Sequence, residues 1–327
     1  MKKKKILITG GCGYIGSCLY ILLSKKFDVF ILDKNKKKNW QKIPPQKIFE
    51  CNMLNYKKTN RIVSKILPNT IVHLASLSTV NERIKMKDYY QNNVVVTKNL
   101  EMIMKKNDIK NIIYSSTASV YDYKKTKITE TSKINPISKY GKTKLLSEKL
   151  IKKSNLNYII FRFFNVTSAF TKPLTGEYHN PETHLIPTLI SNLIGNKISR
   201  IYGNDYNTKD GSCIRDYIHI KDICNAIFLG TKLLEKKKIK VILNLGNGIG
   251  NSNLDILKSI IKTSRKKLLF KFSPRRKGDQ PKLVCDIKKS KRILKWVPKN
   301  SSLTKIIKDE IKWSNFLLKR NYKRKFK

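Results

Sequence analysis

The residues of this sequence best suited to acid–base chemistry are a tyrosine and a lysine four positions apart, Tyr140 and Lys144. In a helix, side chains at this spacing lie on one face, one turn apart. A nearby ammonium group favours the phenolate, so we expect Lys144 to lower the pKa of Tyr140 toward neutral pH. Such a tyrosine can remove and return a proton. The pair alone is weak evidence, because a chain with 15 tyrosines and abundant lysine also produces it on solvated helix faces.

Three hydroxyl residues in a row, Ser115-Ser116-Thr117, stand where a predicted strand at 111–115 ends. In open α/β sheets, ligands bind at the carboxyl ends of strands, so this run should open onto the same crevice as Tyr140. We expect the Thr117 hydroxyl to join a hydrogen-bond network with Tyr140 and a bound ligand. The alternative is a structural role, in which Thr117 only caps a turn.

The elements that must position these residues begin with a nucleotide-binding motif. The apolar run 5–9 predicts a buried parallel strand, and Gly10, Gly13 and Gly16 follow it before an apolar helical pattern. Glycines at this spacing allow a tight turn and close approach of the backbone to a pyrophosphate. A second strand at 29–32 ends in Asp33, whose carboxylate suits a ribose 2′-hydroxyl and repels a 2′-phosphate. This order of elements predicts NAD as the cofactor.

Further strand-like runs at 47–50, 70–74 and 158–164 alternate with helical patterns. Alternation of this kind predicts an α/β fold: a Rossmann-type, doubly wound parallel sheet with a smaller C-terminal α/β lobe that binds substrate. Residues 1–165 would form the NAD-binding domain, with its sheet completed by later segments, and 166–327 would form mainly the lobe. The prolines, glycine and polar residues of 170–183 predict a loop or lobe over the site. The strand ends bring to the crevice Asn52, Met53, Leu74, Ala75 and Ser76.

The C-terminal half contains recognition groups for a charged ligand. Arg215 and Arg276 can hold a diphosphate through paired hydrogen bonds. Tyr202 can stack on a base, and Asp279 can accept a hydrogen bond from a ribose. For any one of these residues, a solvated loop side chain is the simpler interpretation.

Length and composition restrict the class of protein. The 327 residues can bury a substantial core, and no apolar run is long enough to cross a bilayer, so we expect a cytoplasmic protein. Six scattered cysteines, without Cys-x-x-Cys spacing or paired histidines, argue against disulfides and against a zinc site; no metal is expected. His73 and His219 lie in apolar runs and are interpreted as core histidines.

The net charge of +48 is compatible with nucleic-acid binding. However, the charge is mostly lysine spread evenly along the chain, without an arginine-rich arm or an RNA-binding signature. A genome-wide bias toward lysine, isoleucine and asparagine explains this composition better. We therefore expect no specific nucleic-acid partner and no membrane partner.

Together these motifs resemble the UDP-glucose 4-epimerases of the extended short-chain dehydrogenase/reductase family, over residues 4–317. The most specific parts are 201–206, 210–219 and 274–279. The resemblance implies reversible inversion at carbon 4 of UDP-galactose and UDP-glucose, with tightly held NAD and with Thr117, Tyr140 and Lys144 as the catalytic group. It also implies a homodimer joined through a four-helix bundle, formed by the helices before Asn107 and after Tyr140.

The resemblance also implies two sets of ligand contacts, which extend those expected from the glycines, the strand ends and Ser115. The further NAD contacts are Tyr14, Ile15, Asn92, Tyr140, Lys144 and Phe164. The UDP-sugar contacts are Thr117, Asn165, His184, Leu185, Tyr202, Arg215, Arg276 and Asp279.

Some positions depart from the family pattern. Cys51-Asn52 replaces a usual Gly-Asp at the adenine contact, and Thr167-Ser168 replaces a usual Ala-Gly. Leu283 occupies the position of a gate for sugar size, so N-acetylated sugars should fit less well. A UDP-N-acetylglucosamine 4-epimerase, or a dual-specificity enzyme, stays the alternative. A dehydratase or a noncatalytic NAD- or nucleic-acid-binding protein is less favoured.

Overall fold

The computed structural model describes residues 3–35, 43–79, 81, 83–122, 126–172, 174–179, 182–276 and 278–320. Its largest element is a seven-stranded sheet in which neighbouring strands are all parallel. Branched apolar side chains fill these strands, as expected for a parallel sheet that is covered on both faces. In spatial order the strands are β12 (Lys240–Leu245), β6 (Asn157–Phe163), β5 (Asn111–Thr117), β4 (Thr70–His73), β1 (Lys5–Thr9), β2 (Asp28–Asp33) and β3 (Ile48–Glu50).

The described helices are α1 (Tyr14–Leu23), α2 (Tyr56–Ile66), α3 (Met86–Tyr89), α4 (Val96–Lys106), α5 (Lys139–Lys153), α6 (Leu185–Ile194), α7 (Ile220–Lys236), α8 (Asn253–Ser264), α9 (Lys288–Leu294) and α10 (Leu303–Lys319). In the part of the chain that the structure describes, none of these helices combines the length and the apolar character that crossing a lipid bilayer requires.

Two hydrophobic clusters cover opposite faces of the large sheet. Side chains alternate between the faces along each strand, so Ile6 and Ile8 of β1 belong to one cluster and Leu7 to the other. Helices α1 and α7 pack into the first cluster, and α2, α4 and α5 pack into the second. Helices on both faces of a parallel sheet confirm the predicted α/β, Rossmann-type fold.

The predicted strands of the first half are present with small changes in their bounds. Strand β1 has the predicted bounds, whereas β5 continues to Thr117. Strand β12, from the second half of the chain, pairs with β6 and extends the sheet. The division of the chain at residue 165 stays a prediction.

Smaller sheets follow β6. Strands β7 (Asn165–Thr167), β13 (Gly250–Ser252) and β15 (Lys282–Leu283) pair with β11 (Ile214–His219), and β10 (Ser199–Tyr202) pairs with β14 (Phe270–Ser273). Strands β8 (Ala169–Thr171) and β9 (Leu174–Gly176) form an antiparallel hairpin. The predicted loop or lobe at 170–183 therefore contains a short hairpin that was not predicted. These strands have only three residues each, too few to show a pattern of alternation.

Candidate active site

A cavity of about 2030 Å³ opens at the carboxyl ends of the central strands. Its position is that expected for the ligand crevice of a doubly wound sheet. Of the residues predicted to act in the site, Lys144 is buried behind the wall. The others line the cavity: Gly10, Gly13, Tyr14, Ile15, Gly16, Asp33, Asn52, Met53, Leu74, Ala75, Ser76, Asn92, Ser115, Thr117, Tyr140, Phe164, Asn165, His184, Leu185, Tyr202, Arg215, Arg276 and Asp279.

The glycine turn between β1 and α1 brings backbone segments too close together to admit side chains. Gly10 has φ 70, and a Cβ there would lie 2.8 Å from the Ala75 backbone. A Cβ at Gly16 would lie 2.5 Å from the carbonyl oxygen of Gly10, so helix α1 can approach the turn closely only with glycine at this position. The N-terminus of α1 therefore lies at a tight glycine turn on the cavity wall, which suits a pyrophosphate.

Asp33 ends β2 at the same wall. Its carboxylate accepts hydrogen bonds from the backbone N–H groups of Cys12 and Asn35, each at 3.0 Å. These bonds fix the carboxylate beside the glycine turn, where it can accept a hydrogen bond from an adenosine ribose. The turn and Asp33 together fit a dinucleotide without a 2′-phosphate.

Close packing of α5 places Tyr140 beside Thr117. The Ser138 side chain caps this helix by accepting from the N–H of Gly141 at 3.0 Å. A Cβ at Gly141 would lie 2.4 Å from the carbonyl oxygen of Ser119, so a larger residue would push the helix away from the segment that follows β5. Tyr140 is half-buried on the cavity wall, and the Thr117 hydroxyl is close enough to lower the pKa of its phenol.

Thr117 combines the two roles considered from the sequence. Its hydroxyl accepts from the N–H of Ser119 at 3.1 Å and so caps the short helical turn at 118–120. The same residue lines the cavity, and its hydroxyl lowers the pKa of Tyr140. The cap therefore fixes the position of a hydroxyl that also faces the site.

Burial decides the pKa values of the tyrosine and the lysine. It raises the pKa of Tyr140 to about 12. The Thr117 hydroxyl has the opposite, smaller effect on this pKa. Burial also lowers the pKa of Lys144 to about 7, against the opposite effect of Glu148. The Lys144 ammonium lies 4.4 Å from the centroid of the Tyr114 ring. The expectation that Lys144 lowers the pKa of Tyr140 is thus wrong for the chain without a bound cofactor.

A buried polar network holds α5 to the sheet. Glu148 on α5 forms a two-point ion pair with Arg162 of β6, at 3.0 Å and 2.6 Å. Ser116 donates to the same carboxylate. Arg162 also donates to the Tyr121 hydroxyl at 2.8 Å, and that hydroxyl donates to Asn244 of β12 at 2.7 Å. These bonds link the helix that carries Tyr140 to three strands of the sheet.

A π-helical segment, Tyr90–Val95, joins α3 to α4 and faces α5. Its Asn92 lines the cavity, whereas Asn93 is buried and donates to the Thr143 hydroxyl at 3.0 Å. Ser147 donates to the carbonyl oxygen of Asn93 at 3.0 Å. In this wider π turn, Asn93 therefore bonds to α5 while the preceding residue, Asn92, faces the cavity.

At the far end of the cavity, the charged residues predicted from the sequence lie in pairs. Arg215 lies 3.3 Å from the Asp279 carboxylate and donates to the carbonyl oxygen of Gln280 at 2.7 Å. The Arg276 guanidinium lies 4.0 Å from the centroid of the Tyr202 ring and covers one of its faces. The structure thus brings these four predicted residues together; their contacts with a ligand stay predictions.

Two other histidines have the predicted structural role. His73 is buried and contacts the hydroxyls of Thr9 and Thr97 at 2.7 Å and 3.1 Å. His219 is also buried and contacts Ser168 and Asp309 at 3.1 Å and 3.2 Å. Both are core histidines with satisfied ring nitrogens, as predicted.

The sequence analysis missed a cluster on the cavity wall. Glu177, His179, Glu182 and His184 each bring one potential ligand atom within 4.8 Å of the others. The cluster corresponds to a Glu-x-His pattern that occurs twice within eight residues. This repeat is a histidine pairing that was not recognised when no zinc site was predicted from the sequence.

Comparisons with known proteins agree with this geometry. A model of the NAD dependent epimerase/dehydratase family matches residues 6–246. The UDP-glucose 4-epimerase of Lactobacillus helveticus is 36% identical over 94% of this chain and 96% of its own length. The crystal structure of UDP-glucose 4-epimerase from Brucella ovis in complex with NAD has a TM-score of 0.89 at 30% identity, covering 95% of this chain and 98% of that one.

The UDP-glucose 4-epimerase from Bifidobacterium longum, solved with NAD+ and UDP, has a TM-score of 0.86 at 27% identity and covers 98% of this chain and 99% of that one. The likeness therefore extends over the large sheet and the smaller sheets together. On the family match and the full-length relatives, the chain belongs to the NAD-dependent epimerase/dehydratase family, among its UDP-glucose 4-epimerases.

Proposed function

We propose that the protein catalyses the reversible, NAD-dependent epimerisation of UDP-galactose and UDP-glucose at carbon 4. The observation that carries the proposal is that Tyr140 and Thr117 line the wall of one continuous cavity. The glycine turn and Asp33 lie in that cavity, and so do Arg215 and Arg276. A dinucleotide and a nucleotide sugar can therefore meet at the tyrosine.

Tyr140 would exchange the proton of the sugar's 4-hydroxyl. As phenolate it removes this proton, assisted by the Thr117 hydroxyl, and as phenol it returns the proton after the 4-keto sugar has turned its other face. Bound NAD would supply the acceptor and donor for the hydride of carbon 4 and a positive charge that favours phenolate. Lys144, behind the wall, would act on Tyr140 through its position on the same helix.

The diphosphate would be held at a distance from the reacting carbon. Arg215 is anchored by the Gln280 carbonyl, and Arg276 by the Tyr202 ring, so both cations are positioned before a ligand binds. Binding through the UDP group keeps the keto sugar in the cavity while it leaves the sugar free to rotate.

Incubation of the purified chain with UDP-galactose, without added cofactor, tests the proposal. We expect UDP-glucose as the product, identified by NMR, and NAD released when the protein is denatured. Formation of a stable 4-keto sugar would indicate a dehydratase instead. Absence of turnover in a chain that contains NAD would refute the proposal.

The side chain of Leu283 would limit the size of the sugar that the cavity accepts. Leu283 is half-buried and lines the cavity. Its bulk favours UDP-glucose and UDP-galactose over N-acetylated sugars. Comparison of kcat/KM for UDP-galactose and UDP-N-acetylgalactosamine tests this preference. A higher value for the N-acetylated sugar would support the alternative epimerase.

The homodimer is part of the same proposal. Met102 on α4 and Leu146 on α5 are apolar but exposed, at 45% and 37%. The two helices pack side by side, and two such pairs can form a four-helix bundle that covers these side chains.

A further inference from the structure

Two histidines and two glutamates meet on the cavity wall, between β9 and α6. The Oε1 atom of Glu177 lies 3.0 Å from Nδ1 of His179 and 3.1 Å from Nδ1 of His184. The Oε1 atom of Glu182 lies 3.0 Å from the same His184 nitrogen. All four potential ligand atoms lie within 4.8 Å of one another.

These distances suit the edges of a small coordination polyhedron. Zinc–nitrogen and zinc–oxygen bonds of about 2.1 Å give ligand–ligand distances of about 3.4 Å in a tetrahedron. Imidazole and carboxylate together suit Zn²⁺ and neighbouring transition metals, whereas Mg²⁺ and Ca²⁺ prefer oxygen ligands alone. We propose that Glu177, His179, Glu182 and His184 bind one divalent cation of the zinc class.

Burial and charge support a cation at this place. Glu177 and Glu182 are each only 2% exposed, so their carboxyl groups face the two imidazoles rather than bulk water. One divalent cation balances both carboxylates and leaves the two imidazoles neutral, as ligation requires.

The surrounding bonds orient the ligands. The backbone N–H groups of Thr183 and His184 donate to Glu182 Oε1, each at 2.9 Å. The indole N–H of Trp313 on α10 donates to the carbonyl oxygen of Glu177 at 2.6 Å. Outer hydrogen bonds of this kind are typical of metal sites, where they fix the direction of each ligand.

A bound cation would fix the segment that leads into α6. His184 is the residue before this helix, and Leu185 begins it. Both residues were predicted to contact the UDP-sugar, and all four ligands line the same cavity. We therefore assign the cation a structural role, holding this side of the cavity in place. The assignment does not depend on the epimerase reaction.

Metal analysis of the full-length protein tests the site. After removal of metal by a chelator and dialysis against Zn²⁺, we expect one equivalent of zinc per chain by mass spectrometry. Co²⁺ substitution should give visible absorption bands of tetrahedral cobalt, without the sulfur charge-transfer band that binding to the six cysteines would add. Wild-type protein that binds neither metal stoichiometrically would overturn the proposal and leave a histidine–carboxylate ion-pair cluster.

Variants locate the metal. The double variant H179A/H184A should lose the cobalt bands and the rise in Tm that Zn²⁺ gives to the wild type. Glu182→Gln should weaken binding while it keeps the side-chain shape. Asp279→Asn, which removes a carboxylate from the same cavity outside the cluster, should keep the full metal content. Unchanged cobalt bands in both H179A/H184A and Glu182→Gln would place the metal elsewhere and contradict the assignment.

Discussion

Burial, more than the neighbouring charge, sets the pKa values of Tyr140 and Lys144 in the cofactor-free chain. A lysine that is 1% exposed loses its hydration, so its charged form becomes costly and its pKa is lowered to about 7. The phenol responds to burial in the opposite direction. The positive charge of a bound cofactor would then favour the phenolate of Tyr140. Without the cofactor, Tyr140 would stay a neutral and less reactive phenol.

The stability of the cofactor-free chain should depend on Lys144. Between pH about 7 and 10.5 the folded chain holds this lysine mostly neutral, whereas the unfolded chain keeps it protonated. The unfolded state therefore binds more protons, and this group makes the free energy of unfolding rise with pH, by up to about 1.4 kcal/mol per pH unit. Lys144→Met should remove that contribution in urea titrations between about pH 7.5 and 9.5.

Lys142→Met is the matched control for this prediction, because Lys142 is exposed on the same helix. It should keep the wild-type dependence on pH. If wild type and Lys144→Met showed the same slope, Lys144 would not titrate in this range and the account of its burial would be wrong.

Sequence spacing identified which residues meet, but not which way they face. Tyr140 and Lys144 lie on one helix as predicted, yet the lysine points under the wall toward the Tyr114 ring. The spacing of two residues in the sequence does not show how deeply each side chain is buried, and burial decides the pKa of both. The cluster of Glu177, His179, Glu182 and His184 was visible as a repeated Glu-x-His pattern, but the spacing of that repeat does not show that the four side chains converge.

At the scale of elements, the position of α5 depends on polar bonds as well as apolar packing. The ion pair of Glu148 with Arg162 is 5% exposed or less at both side chains. A buried pair adds little stability compared with apolar residues of the same shape, but removal of one partner leaves the other charge buried alone. The network therefore restricts where α5, and with it Tyr140, can lie.

Glu148→Gln should lower the free energy of unfolding by about 3–5 kcal/mol, because Arg162 would stay buried without a counter-charge. Urea denaturation measures the loss. Lys149→Gln, on the exposed side of the same helix, should change stability by less than about 0.5 kcal/mol. Equal stability of the two variants would show that the pair does not hold the helix.

The main strands could be predicted because each is a short apolar run bounded by turn residues. Burial on both faces makes such runs continuous, and the glycines after β1 mark where a strand gives way to a helix. The hairpin of β8 and β9 could not be found in this way. Its three-residue strands are stabilised by contacts with α10, which lies far along the chain.

At the scale of the whole molecule, the charge of +48 contributes little to the site's identity. The ligand-binding features of the cavity are the glycine turn, the carboxylates of Asp33 and Asp279, and the two arginines Arg215 and Arg276. They do not form an extended basic face. Exposed apolar side chains on α4 and α5 are the more informative surface feature, because two adjacent helices share them.

If α4 and α5 form the dimer interface, a charged residue introduced on them should lower the molar mass of the protein in solution. Wild-type protein should be dimeric by light scattering, and Leu146→Glu should shift it toward monomer because a charge would be buried in the bundle. Ile249→Glu, at a residue 60% exposed beyond β12, should stay dimeric. Monomeric wild-type protein at all concentrations would contradict the proposed bundle.

The turnover number of Tyr140→Phe tests the central claim most directly, measured with UDP-galactose on protein whose NAD content equals that of the wild type. The substitution removes only the hydroxyl that meets Thr117. We expect kcat to fall by about 10²–10⁴-fold, with the fold and the bound NAD retained. A variant with NAD bound and near-normal kcat would show that another group moves the proton and would contradict the account.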